Sequence, residues 1–110
     1  MDVRFKEEKG YSVAAVQGRL DTMTVWDFEQ KMSGLVKEHP GNLVLDLSGL
    51  EYISSAGLRS LLALSKKVKA AGASMALCGL SGLPKEVFLV SGFDIVFPLH
   101  ESVEDAAKSF

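Results

Sequence analysis

The segment Leu43-Val44-Leu45-Asp46-Leu47 restricts the fold open to this chain more than any other, because it is apolar almost without interruption. A strand that carries apolar groups on both faces needs cover on both. An antiparallel sheet with one wet face does not give that cover, whereas a parallel sheet flanked by helices does. The sequence on either side supplies the helices. Val25, Phe28, Met32, Leu35 and Val36 recur at the spacing of one helical face, and His39-Pro40-Gly41 ends the stripe. Leu58, Leu61, Leu62 and Val68 repeat the pattern as far as Gly72, which suits the position just past a helix end.

The same alternation extends to both termini. Val3 and Phe5 alternate with Arg4 and Lys6 as a short edge strand, and the run Tyr11 to Gly18 follows after Gly10 as its hairpin partner. Thr24 and Asp27 stand in a capping-box relation at the first helix, with Asp in place of Glu. Ser48 to Ile53 reads as a connection, and Ser55 as the N-cap of the second helix. Ser74 to Cys78 predicts a buried strand. Pro84 opens a short helix carrying Val87, Phe88 and Val90, with Gly92 past its end. Ile95-Val96-Phe97 predicts a brief strand halted by Pro98, and Ser102 caps a last helix reaching Lys108. The order predicts an α/β fold in one domain over residues 1–110: a single mixed, mostly parallel β-sheet of about five strands with about four helices.

Composition narrows the function. Twelve Lys and Arg against 14 Asp and Glu leave a net charge of −2, which argues against a nucleic-acid partner held by phosphate neutralisation. Cys78 is the only cysteine, so neither a disulfide framework nor a Cys-rich zinc site is expected. The opening MDVRFKEEKG lacks the apolar core of a signal peptide, and no apolar run approaches the ~18 residues of a membrane span, so membrane insertion is not expected and a cytoplasmic location is. His39 and His100 fall in expected loops without a metal-ligand neighbour. Neither GxxxxGK[ST] nor GxGxxG occurs, and no cofactor is expected. A buried, inert Cys78 and solvated carboxylates leave little basis for an enzyme.

In sheets of this kind, chemistry gathers where strands hand over to helices. Two handovers stand out: Gly18-Arg19-Leu20-Asp21-Thr22 and Tyr52-Ile53-Ser54-Ser55-Ala56-Gly57. A serine at a helix mouth caps free N–H groups, and the same place tolerates an added anion. Phosphorylation there would change the surface without unfolding the chain. The small residues Ala56 and Gly57 admit two readings: open access to the serine hydroxyl, or close helix–sheet packing. Asp21 suits a turn or cap position, and Arg59 belongs on the exposed flank of the helix. Trp26 falls off its helix stripe and is expected to be partly buried beside it, the alternative being an exposed binding anchor.

The stretch from Asp46 to Arg59 resembles the core signature of STAS domains, the anti-sigma-factor antagonists, in which a strand ending in Asp-Leu leads to a serine turn and a Gly-Leu helix start. Gly18-Arg19-Leu20-Asp21 resembles the family's Gly-x-Leu-Asp, and Ser102-Val103-Glu104-Asp105-Ala106 its final helix, so the resemblance covers nearly the whole chain. It implies the STAS fold and a regulatory binding protein that is not an enzyme. By the same resemblance, the unphosphorylated form binds an anti-sigma factor that is a serine/threonine kinase, and sigma is released. The kinase then ends the contact by phosphorylating the serine two residues before Gly-Leu, here Ser55, and a serine phosphatase restores it. Many members carry an acidic residue where this chain has Ser54, which makes Ser54 the alternative acceptor. The implied partner surface is Asp21, Thr22, Ser54, Ser55, Ala56, Gly57, Leu58 and Arg59, on a monomer or weak dimer. The family's breadth implies a second reading: a module that binds a nucleotide or lipid, or a soluble subunit of a lipid or anion transporter.

Overall fold

A computed structural model describes residues 1–110. Its strands are β1 (Asp2–Glu8), β2 (Tyr11–Leu20), β3 (Leu43–Ile53), β4 (Met75–Cys78) and β5 (Leu99–His100). Its helices are α1 (Val25–Glu38), α2 (Ser55–Ala70), α3 (Gly82–Val90), α4 (Phe93–Val96) and α5 (Val103–Lys108). The five strands form one sheet in the order β1-β2-β3-β4-β5. The β1–β2 hairpin is antiparallel and every later pairing is parallel. Each parallel step moves the same way across the sheet, so right-handed crossovers bring α1, α2 and α3 to one face.

On that face, Leu45, Leu47 and Ile53 pack against Phe28 and Met32 of α1, Leu61 and Val68 of α2, and Phe88 of α3. On the other face, Val44, Ala76 and Cys78 are covered by Ala106 of α5. That double cover is why the Leu43–Leu47 segment is apolar on both sides.

The structure departs from expectation in three places. β2 runs on to Leu20 instead of closing at Gly18, and Ser48 to Ile53 is strand, not connection: Gly49, Leu50, Tyr52 and Ile53 pair with Gln17, Gly18, Arg19 and Leu20. Register shifts between Ala15 and Gln17 and between Gly18 and Arg19 absorb the mismatch. Burial of Leu50 and Ile53 holds this extension to the core. Ile95-Val96 is part of a helical turn, α4, not a strand. The reason is the pair Phe93 and Phe97: four residues apart, they can both turn onto Phe88, at ring distances of 5.7 and 6.2 Å, only if the chain between them coils. The last strand therefore lies beyond Pro98, where Leu99 and His100 pair with Leu77 and Cys78. This also places His100 in a strand instead of a loop, and the helices number five.

Candidate functional site

The carboxyl ends of β2 and β3 lie side by side, because Leu20 pairs with Ile53 and the Ser54 N–H donates to the Leu20 carbonyl at 3.0 Å. Everything at the site hangs from this junction. Past Leu20 the chain turns on Asp21, whose Oδ1 accepts from the Met23 N–H at 3.0 Å. The Asp21 carbonyl accepts from the N–H groups of Thr24 and Val25, at 3.1 and 2.9 Å, and so starts α1. Thr24 does not close the expected capping box. Its Oγ1 reaches back instead, accepting from the Asp21 N–H at 3.0 Å and donating to the Arg19 carbonyl at 2.7 Å. The Arg19 side chain sits between the two strand ends, with Nε 3.4 Å from Asp21 Oδ2 and the guanidinium 4.7 Å above the Tyr52 ring. Partial burial pushes the Asp21 carboxyl upward. The Met23 N–H, the Arg19 guanidinium and the Thr24 N–H outweigh that and hold it below the ordinary carboxylate value.

Past Ile53 the extended residue is Ser54, and it is the N-cap: its Oγ accepts from the Gly57 N–H at 3.3 Å. The expectation that Ser55 caps α2 is thus corrected by one position. Ser55 is the first helical residue and is exposed, while Ser54 is half-buried with its hydroxyl engaged. The first turn of α2 holds no acidic residue, so nothing in it offsets the positive pole of the helix. Arg59 is exposed four residues beyond Ser55, on the same flank of the helix, where it can meet an anion carried by Ser55.

Gly57 is buried, and its small size serves packing: a Cβ there would stand 2.7 Å from the Leu20 carbonyl oxygen and 2.8 Å from Ile53 Cγ1. Leu58, expected on the partner surface, is buried in the core instead and can only support that surface from beneath. Thr22 is exposed and Ala56 half-buried. The structure therefore brings Asp21, Thr22, Ser54, Ser55, Ala56 and Arg59 to the end of the sheet where β2 and β3 hand over to helices.

Of two further neighbours, Met23 was missed in the sequence and Trp26 was legible only as the alternative to partial burial. Met23 is 88% exposed and Trp26 70% exposed. Trp26 is not tucked beside the stripe as expected, because Phe28 and Met32 set the buried face of α1. Its departure from the apolar spacing was the available signal. Elsewhere, burial pushes the Cys78 thiol up to about 12, helped by the charges of Asp46 and Glu104, so it is no nucleophile at neutral pH. His39 follows the last turn of α1, packs on Phe5 and pairs with Glu7. No cluster of three or more His, Cys, Asp or Glu side chains is placed to hold a metal ion.

Residues 2–106 match the sequence model of the STAS domain. The proposed anti-sigma factor antagonist BtrV of Bordetella bronchiseptica is 37% identical over 101 residues, which make up 92% of this chain and 87% of that protein. The anti-sigma-F factor antagonist RsfB of Mycobacterium tuberculosis is 27% identical over 104 residues, 94% of this chain and 84% of that one. A crystal structure of an anti-sigma factor antagonist from Mycobacterium paratuberculosis has the same fold, with a TM-score of 0.86 and 28% identity over 98% of this chain and 92% of its own. These relatives are named for antagonism of another protein, not for a reaction.

Proposed function

Because this chain belongs to the STAS domain family, we propose that it works as an anti-sigma factor antagonist switched at Ser55. Unmodified, it binds an anti-sigma factor that is a serine/threonine kinase, and a sigma factor is set free. That kinase holds ATP and transfers its γ-phosphoryl group to Ser55. The Ser55 oxygen forms the new O–P bond, the bond to the ADP oxygen breaks, and the hydroxyl proton passes to a base on the kinase. The modified chain lets go until a serine phosphatase hydrolyses the ester. These partners imply work in the cytoplasm, by a monomer or weak dimer; no helix of the chain is long and apolar enough to cross a membrane.

One observation carries this reading: Ser55 is exposed at the positive end of α2, while the cap is made by Ser54. A phosphate adds about −1.5 to −2 charges, and the open end of a helix is where such charge is best tolerated. The fold survives, and a partner packed over the serine meets bulk and a charge it must desolvate. Incubation with the kinase and ATP, followed by mass spectrometry, tests the assignment. Phosphate is expected on Ser55 in the wild type and in Ser54→Ala, and on neither serine in Ser55→Ala. Modification at Ser54, or none in the wild type, refutes it.

A further inference from the structure

Met23 and Trp26 are the large apolar side chains that stand open beside the Asp21 turn, and nothing in the chain covers them. Neither is loosely attached. The Met23 N–H is bonded to Asp21 Oδ1 at 3.0 Å, and Val25, next to Trp26, is bonded to the Asp21 carbonyl at 2.9 Å. Both side chains are thus carried on an ordered backbone, so a partner that takes them has only the side chains left to order. Two of the three carboxylates around them are paired, Asp21 with Arg19 and Asp27 with Lys31 at 3.0 Å, and Glu29, one turn on from Trp26, is exposed. An apolar centre inside a polar rim is the layout of an interface hot spot.

Distance identifies the occupant. Leu20 and Ile53 are paired, Met23 lies three residues past one and Ser55 two past the other, so their Cα atoms are at most about 24 Å apart. A standard interface buries roughly 800 Å² on each partner, a disc roughly 32 Å across. The whole molecule measures 32 × 27 × 22 Å. Since about 24 Å is less than roughly 32 Å, one interface of that size can cover Ser55 and the Asp21 turn together. We propose that Met23 and Trp26 are the apolar anchor by which the kinase grips this chain, with Trp26 entering an apolar pocket beside the kinase's nucleotide cleft. This rests on the Ser55 reading and extends it. The serine is the switch, and the tryptophan supplies much of the grip the switch must overcome.

The test takes the anti-sigma kinase that phosphorylates wild-type Ser55 and measures its binding to Trp26→Ala, Trp26→Phe and Met23→Ala. Trp26→Ala is expected to weaken binding roughly thirty-fold and to raise KM for Ser55 phosphorylation with kcat nearly unchanged, since the anchor binds ground state and transition state alike. Trp26→Phe should recover part of the loss, and the melting temperature should stay within a degree or two of wild type because the side chain is exposed. Trp26 is the only tryptophan, so in protein labelled with 5-fluorotryptophan a single ¹⁹F resonance should shift when the kinase is added. Equal binding by Trp26→Ala and wild type overturns the anchor and leaves the switch standing. A ¹⁹F shift that follows the chain's own concentration without kinase assigns the patch to a second copy and also overturns it. If no anti-sigma kinase binds and phosphorylates the wild type, the switch and the anchor fall together.

Discussion

Gly57 and Gly72 bracket α2 and are glycines for different physical reasons. At Gly57 the backbone is ordinary and the space is missing, with a Cβ only 2.7 Å from a main-chain oxygen that cannot swing away. At Gly72 the space is open, with nothing within 4 Å, but φ is +84°. There the chain closes the helix with bonds from the Gly72 N–H to the Lys69 carbonyl and from the Ala73 N–H to the Val68 carbonyl, at 3.0 and 3.1 Å. Gly72→Ala should therefore cost about 1–2 kcal/mol by conformation alone. Gly57→Ala should cost about 1–3 kcal/mol by overpacking, despite the better helix propensity of alanine. In urea titrations both variants should lose stability, and Gly57→Ala alone should disturb the amide signals of Leu20 and Asp21. Cys78 gives a pH signature. Its thiol is held protonated up to about 12 in the folded chain, against about 8.5 unfolded. The unfolded chain sheds that proton first, so the contribution is complete below about pH 8.5 and drains away as pH climbs toward the folded value. The urea midpoint of wild type should fall more steeply above pH 9 than that of Cys78→Ala, and parallel curves would refute the assignment. At this scale the cap of α2 was legible to within one residue. Two adjacent serines satisfy the same capping preference, and only the pairing of Ser54 with Leu20 decides which of them stays extended.

At the scale of elements, the prediction concerns the mouth of α2. No acidic residue lies in its first turn, so Ser55→Asp should stabilise the chain by about 0.3–1 kcal/mol through the helix dipole. The gain should appear as a higher melting temperature at low salt and shrink at high salt. A loss of stability would show that Ser55 makes a contact the fold needs. Helices α1, α2 and α5 and strands β2, β3 and β4 were readable, apart from the ends of β2 and β3, because their apolar spacing is a local property. Ser102 even caps α5 as its sequence suggests, accepting from the Asp105 N–H at 3.1 Å. The errors fall where partners at a distance decide. Ser48-Gly49 has the composition of a turn, yet the extension of β2 pairs with it and makes it strand. Ile95-Val96 has the composition of a strand. The two phenylalanines around it need a helical turn to reach Phe88, so Ile95 is left exposed.

At the scale of the molecule, strand order explains why the chain works through its surface. Ligand crevices in open parallel sheets form where the strand order reverses and neighbouring crossovers leave opposite faces. Here the order runs straight from β1 to β5, so the helices that follow β2 and β3 leave toward the same face and the strand ends close over with turns. What remains at that end is a surface, with Ser55 on one side of the β2–β3 junction and Met23 and Trp26 on the other. Reach then limits the effect of modification. One phosphate would nearly double a net charge of −2, but at physiological salt its field decays over about 8 Å, against a long axis of 32 Å. Phosphorylation at Ser55 should therefore act locally, by occupying and charging the docking face, and not by relaying a change through the sheet. Amide spectra of the modified and unmodified chain should differ at residues 19–26 and 51–60 and coincide in β4, β5 and α5. The kinase should meanwhile bind the modified form at least a hundred-fold more weakly, about 2.7 kcal/mol. Shifts spread into α5 or the β1–β2 turn would mean that the sheet itself rearranges, and the switch would then be conformational instead of electrostatic.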